Sequence, residues 1–230
     1  VGPAVADGEL AEARQLADLI GIRHVEVATD EINQPRYIAN EADRCFHCKT
    51  ELYDHVKRVA EEAGVEVIAN GANTDDQGDY RPGMQAAADY DVRSPLVACG
   101  LNKAEVRRLA THWTLPVADK PASPCLASRI AYGVQVTPER LRQIDLAEQH
   151  LRSFGLREVR VRLHEGGLAR IEAPAGEIEK LSAMPARTQI VQRLRELGFK
   201  FVAIDLAGFH SGSLNVVIPA DALAQYGAKK

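Results

Sequence analysis

The chain has 230 residues, 46% hydrophobic and 26% charged, with a formal net charge of −4 and a pI near 6.0. That is length for one large domain or two unequal ones, and the charge balance excludes a general nucleic-acid binder, whose affinity comes from Lys and Arg neutralising phosphates. No run approaches the ~18 apolar residues of a membrane span, and the opening VGPAVADGELAEA lacks the basic start and apolar core of a signal peptide, so a cytoplasmic protein with no membrane partner is expected.

The chain starts at Val1, without a methionine and directly before a helix pattern, and reads as a fragment. Asp7 can cap a helix whose apolar residues Leu10, Ala13, Leu16, Ala17 and Ile20 fall at helical spacing, with Gly21 as its stop. Residues 22–28, IRHVEVA, read as a strand. The order then repeats: a helix near 49–63, a stop at Gly64, and the short apolar strand VEVIAN at 65–70. Helix–strand alternation predicts a parallel sheet, and the polar loops 29–44 and 71–80 leave the carboxyl ends of its strands, where ligands bind in open sheets. A third helix over 102–113 leads into LPVADKPASPCLASRIAYG, long and Pro-rich enough to be a functional loop or a domain linker.

From Thr137 the pattern changes. Thr137 caps, Pro138 takes the first helical position, and the helix runs to about Phe154 before Gly155. REVRVRLH and GLARIEA, separated by Glu165 and Gly166, predict a hairpin. A helix near 187–197 and the strands KFVAIDL and LNVVI complete a small α+β domain. The expected fold class is α/β: a parallel-sheet, Rossmann-like domain over 1–132 and an α+β domain over 133–230.

Four cysteines in an intracellular chain read as metal-binding or catalytic thiols before disulfides. Cys45 and Cys48 form a CxxC at a loop-to-helix junction, where helix amides favour thiolates; zinc, iron-sulfur and redox-dithiol readings compete there. Cys125, in PASPC, sits in the other long loop. Three thiolates on one [4Fe-4S] cubane leave one iron open to carry sulfur. Cys99 ends an apolar run and reads as a small buried hydrophobe.

The loop GANTDDQGDYRPG gathers Gly71, Asn73, Asp75, Asp76, Gly78 and Asp79, oxygen donors suited to Mg²⁺ and nucleotide hydroxyls, or else a solvated turn with helix caps. Arg160 and Arg162 project from one face of a strand and could grip a single phosphate; an exposed basic edge is the bland alternative. Ser128 and Arg129 fall beside Cys125, and Lys120 is a candidate for balancing negative charge. His24, His112 and His150 show no ligand spacing.

Taken together, RCFHCK, GANTDDQGDYRPG, VRSPL, DKPASPCLASRIAYG, VRVRLHEGGLARIE and GFKFVAIDLAGFHSGSLN resemble the LarE family of ATP-dependent sulfurtransferases, in the family's order from about Asp7 to Asn215. The resemblance implies an adenine-nucleotide α-hydrolase-like domain that uses ATP and Mg²⁺ to activate the carboxylates of a pyridinium biscarboxylic acid mononucleotide on the way to the nickel-pincer cofactor. It implies Cys125 as the sulfur-transfer cysteine, a [4Fe-4S] cluster on Cys45, Cys48 and Cys125, and substrate-phosphate or oligomer-site roles for Ser128, Arg129, Glu148, Arg160 and Arg162. It implies a homo-oligomer, often a hexamer. The family's opening strand, Ser-Gly-Gly-x-Asp-Ser loop and helix are missing from this chain, so ATP use is expected of the parent protein. Another ATP pyrophosphatase, an amidotransferase or tRNA-thiolation enzyme, is the alternative within enzymes, though the acidic charge opposes tRNA. A zinc-stabilised binding module is the alternative outside them.

Overall fold

The computed structural model describes residues 1–78, 81–210 and 212–218. Helix α1 (Glu9–Ile20) starts at Gly8 with no side-chain cap, so Asp7 does not cap it, and ends where Gly21 turns left-handed at φ 71°. Next come α2 (Pro35–Ala39), α3 (Arg44–Glu62), α4 (Pro82–Asp89) and α5 (Pro95–Ala98). Three of these open on proline, whose missing N–H is no loss at a first helical position. α3 begins well before position 49, so that its first two turns carry Cys45 and Cys48. α6 (Lys103–His112) has a full capping box, Glu105 N donating to Asn102 Oδ1 and Asn102 N to Glu105 Oε2, each at 2.9 Å. Thr137 caps α7 (Pro138–Arg152) as expected.

The expected hairpin forms from β1 (Arg160–His164) and β2 (Leu168–Glu172), antiparallel about a turn in which Gly166 and Gly167 take φ 73° and 80°. After α8 (Ile178–Ser182) and α9 (Ala186–Glu196), β3 (Phe201–Ile204) returns parallel to β2. Side chains alternate across this sheet. Val161, Leu163, Ala169 and Ile171 take one face, and Arg160, Arg162, Arg170 and Glu172 the other.

The apolar face meets Leu141, Ile144, Ala147 and Leu151 of α7 and Ile190 and Leu194 of α9. Burying each such side chain contributes about 1.5–3 kcal/mol. The same core takes in Ala4, Tyr37, Leu126, Ala127 and Ile130, so side chains from both sides of position 132 share it. A small second cluster of Tyr53, Ala86 and Ala87 joins α3 to α4.

Two expectations fail. Residues 22–28 and 65–70 form no sheet; the pairing found there is a single parallel bridge, Ala69 with Arg93. A parallel strand needs neighbours that cover both its edges and its faces, and Ile22, Val25, Val65 and Val67 are all exposed. LNVVI likewise is not a strand: Asn215–Val217 is a 3₁₀ turn with Val216 at 83% exposure, on no sheet edge. The order of elements is mixed α/β, and no helix among the described residues is long and apolar enough to cross a membrane.

Candidate functional site

Arg44, directly before the first cysteine of the CxxC, joins the two cysteine-bearing segments. Although 4% exposed, its guanidinium is engaged through both terminal nitrogens: Nη1 donates to Asn40 Oδ1 at 2.5 Å and to the Ala127 carbonyl at 2.7 Å, and Nη2 to Cys45 Sγ at 3.5 Å. Asn40, left-handed at φ 55°, donates Nδ2 to the carbonyls of Ala131 and Val134, both at 2.8 Å. These bonds fasten the start of α3 to the loop that carries Cys125, just ahead of the 3₁₀ turn Leu126–Arg129.

Cys45, Cys48 and Cys125 thereby come within electrostatic reach of one another. Burial pushes the Cys48 thiol up to about 12, and the charges of Cys125, Glu31 and Cys45 push the same way. Burial alone would lower Arg44, but Cys45 and Cys125 hold it above its ordinary value. Arg44 is thus a buried cation beside Cys45 and Cys125, and a metal binding Cys48 would have to displace its proton. All four cysteines are free. Among the described residues, no group of three or more His, Cys, Asp or Glu side chains is arranged to hold a metal ion. Cys99 is exposed rather than buried, because α5 is a one-turn surface helix with no buried residue.

The acidic loop lies close by. Gly83, in the first turn of α4, approaches α3 so tightly that a Cβ would stand 2.9 Å from Lys49 Cγ and 3.6 Å from the Cys45 carbonyl. Its oxygens, however, are engaged locally. Asn73 Oδ1 accepts from Asp75 N, Asp76 Oδ2 from Asn73 N, and Asp75 Oδ2 from Lys103 N at the start of α6. Asp76 also pairs with Arg81 at 2.7 Å. Asp79 lies outside the described residues. Lys120 is tied to Glu9 and Glu12.

The polar face of the sheet is buried, not an exposed basic edge. Arg129, 1% exposed, pairs with fully buried Glu148 at 3.0 Å and donates Nη1 to the Cys125 carbonyl and to Ser128 Oγ. Glu148 also accepts from Arg152 at 2.8 Å and from Val161 N at 3.1 Å. Arg162 is neutralised by Glu172 at 2.7 Å, and its remaining donors go to Ser213 Oγ and the Ser128 carbonyl. Arg160 differs. Its donors reach only the carbonyls of Val159 and Ala122, its guanidinium lies 5.1 Å over the Phe209 ring, and it pairs with no carboxylate among the described residues. Burial, then Arg129, lowers it to about 10. The expected two-arginine clamp is therefore one uncompensated cation, Arg160, beside a saturated one.

The chain is 32% identical over 96% of its length to the pyridinium-3,5-bisthiocarboxylic acid mononucleotide synthase of Lactiplantibacillus plantarum, covering 79% of that protein. It belongs to the LarE family. It is also 42% identical, over 95% of its length and 81% of the relative, to an uncharacterized protein of Synechocystis sp.. An uncharacterized protein of Methanocaldococcus jannaschii matches at 26% over 76% of the chain and 68% of its own length. No family model matches.

In this LarE family member, sequence reasoning missed Asn40, Arg44, Glu172 and Ser213 as site-builders, and of these only Arg44, next to the CxxC, carried a local signal. Their importance lies in pairings between residues up to 94 positions apart.

Proposed function

We propose that the protein inserts sulfur into the carboxylates of a pyridinium mononucleotide during nickel-pincer cofactor synthesis, using ATP and Mg²⁺ for activation and a [4Fe-4S] cluster on Cys45, Cys48 and Cys125. One observation carries this reading: three free thiols that act on one another, two of them also on buried Arg44, in a chain whose family includes a bisthiocarboxylate synthase. The donor types suit a cluster, since three cysteine thiolates can ligate three irons of a cubane, although the three side chains are not drawn together as metal ligands in this structure. When bound, the cluster supplies an iron without a protein ligand at which sulfur can be carried.

The chain's own residues do the rest. Arg44 offsets the thiolate charge, and Cys48, a neutral thiol in its buried setting, releases its proton when a metal binds. ATP converts each substrate carboxylate to an acyl adenylate with loss of pyrophosphate; sulfide then attacks the acyl carbon and AMP leaves with the carboxylate oxygen. Asn73, Asp75, Asp76 and Asp79 are proposed for Mg²⁺ and ATP because their loop leads into α4 against Cys45. Binding there exchanges their local caps for the nucleotide. Arg160 receives the substrate phosphate. Ser128, Arg129, Glu148 and Arg162, already saturated, position the Cys125 loop. A homo-oligomer completes the proposal.

Iron counting on anaerobically purified Cys45→Ala, Cys48→Ala, Cys125→Ala and Cys99→Ala tests it. The first three lose the cluster and its visible absorbance; Cys99→Ala keeps both. A colourless, zinc-loaded wild type would overturn the cluster. Stoichiometric dehydroalanine at position 125 after one turnover would make Cys125 the sulfur donor itself.

A further inference from the structure

The segment after β3 reaches three arginines on the polar face of the sheet, each by a different chemistry. Asp205 pairs with Arg170. Ser213 Oγ accepts from Arg162 Nη2 at 3.1 Å and donates to Glu172, and between these two attachments Arg160 Cζ stands 5.1 Å from the centroid of the Phe209 ring. The backbone fixes where that ring sits. Asp205 N donates to the Ile171 carbonyl and Phe209 N to the Ala173 carbonyl, both at 2.9 Å. Gly208, directly before the ring, is left-handed at φ 76°, and a Cβ there would stand 3.0 Å from the same Ala173 oxygen. Only glycine lets the backbone approach so closely in that conformation.

The three arginines are treated differently. Arg162 and Arg170 meet the carboxylates of Glu172 and Asp205, which cancel their charge. Arg160, 4% exposed, spends hydrogens on the carbonyls of Val159 and Ala122 and meets a ring where its neighbours meet a carboxylate. A guanidinium has five N–H donors, so three remain for a ligand. An aromatic ring attracts a cation through its quadrupole but carries no net charge with which to cancel it. A leucine in its place would give similar apolar cover without that attraction. Phe209 thus secures Arg160 while leaving its charge available to an anion.

We propose that Phe209 is the positioning residue of the substrate-phosphate site, its ring holding the Arg160 guanidinium in place as an un-neutralised cation ready for a phosphate monoester. The proposal rests on the reading of Arg160 as the phosphate receiver and adds the residue that keeps it competent. Phe209 acts through Arg160 and not on the reacting carboxylate.

Inorganic phosphate is the probe. Its affinity is measured by titration calorimetry on wild type, Phe209→Leu, Phe209→Tyr and Arg160→Met, with the melting temperature of each in phosphate-free buffer. Phe209→Leu keeps an apolar side chain and loses the ring; it is expected to bind phosphate about three- to tenfold more weakly, as for a lost cation–π contact. Phe209→Tyr keeps the ring and is expected to bind as wild type does. Arg160→Met should not bind. Equal affinity in wild type and Phe209→Leu, whatever their melting temperatures, overturns the role of Phe209 and leaves Arg160 as the receiver. Phe209→Tyr as weak as Phe209→Leu would mean that the fit of the side chain matters and not the ring, and also overturns it. A wild type that takes no phosphate, or an Arg160→Met that takes it equally well, overturns the phosphate site itself, and the role of Phe209 with it.

Discussion

Glu148→Gln isolates what the buried charge network contributes. The substitution keeps the shape of the side chain and removes only its charge. Glu148 is fully buried and accepts from Arg129 Nε at 3.0 Å, Arg129 Nη2 at 3.4 Å, Arg152 Nη2 at 2.8 Å and Val161 N at 3.1 Å. The amide retains one acceptor oxygen and turns an NH₂ toward guanidinium donors, leaving Arg129, 1% exposed, as an unpaired buried cation. Removing one partner of a buried pair costs about 3–5 kcal/mol. In a chain of this size each kcal/mol moves the melting temperature by about 2–4 °C, so a fall of roughly 6–20 °C is expected.

Urea unfolding of Glu148→Gln, Arg129→Met and the double variant gives the coupling directly. The double variant should be more stable than the sum of the singles requires, since it leaves no unpaired charge. Arg152→Ala is the internal control: it contacts the same carboxylate but is 36% exposed, and its loss should cost under about 1 kcal/mol. Strictly additive single effects, or a Glu148→Gln cost as small as that of Arg152→Ala, would refute the assignment of Glu148 as a positioning residue and return it to direct ligand contact.

Arg160→Met should leave stability in phosphate-free buffer unchanged or raised, because it removes a buried cation with no counter-charge, while Arg162→Met should destabilise by orphaning Glu172; inorganic phosphate at a hundred times its Kd should stabilise wild type by about 2.7 kcal/mol and Arg160→Met not at all. Equal phosphate shifts in the two proteins would remove Arg160 from the anion site. Burial holds His150 below its ordinary value of 6.5, so the unfolded chain takes up the proton first and stability falls as pH drops from 6.5. Urea midpoints between pH 7.5 and 5 should fall less steeply in His150→Gln than in wild type, and parallel curves would contradict this.

Local chemistry made some of this fold legible in the sequence and left other parts hidden. Asn102 and Thr137 mark helix starts because a cap acts within three residues, and the break at Glu165 and Gly166 marks the hairpin because Gly166 and the following Gly167 take φ 73° and 80° in succession, which only glycine does cheaply. The strands at 22–28 and 65–70 failed because β-branched runs state a preference for pairing without supplying the partner. The three thiols were legible as residue types; that Arg44 ties two of their segments together was not, since nothing local in RCFHCK says which carbonyl its guanidinium will reach. Arg160 and Arg162 were legible as facing the same way, yet Glu172, which separates their fates, lies across the hairpin.

The loop that carries Cys125 shows why the arginines are buried at all. PASPCLASR has two prolines and little regular structure, so it offers carbonyl oxygens with few amide partners of its own. Arginines supply them from outside: Arg160 donates to Ala122, Arg129 to Pro124 and Cys125, Arg44 to Ala127, and Arg162 to Ser128. One loop is thus gripped from α3, from β1 and from its own 3₁₀ turn, with the thiol at its centre. Neutralisation of these arginines is incomplete: among the described residues Arg129, Arg152, Arg162 and Arg170 share Glu148, Glu172 and Asp205 as ion-pair partners, and Arg160 has none. The excess positive charge falls at Arg160, whose donor to Ala122 places it three residues along the chain from Cys125. An anion bound there would relieve the buried cation, and under the proposed function it would couple phosphate binding to the position of Cys125 through the same few carbonyls.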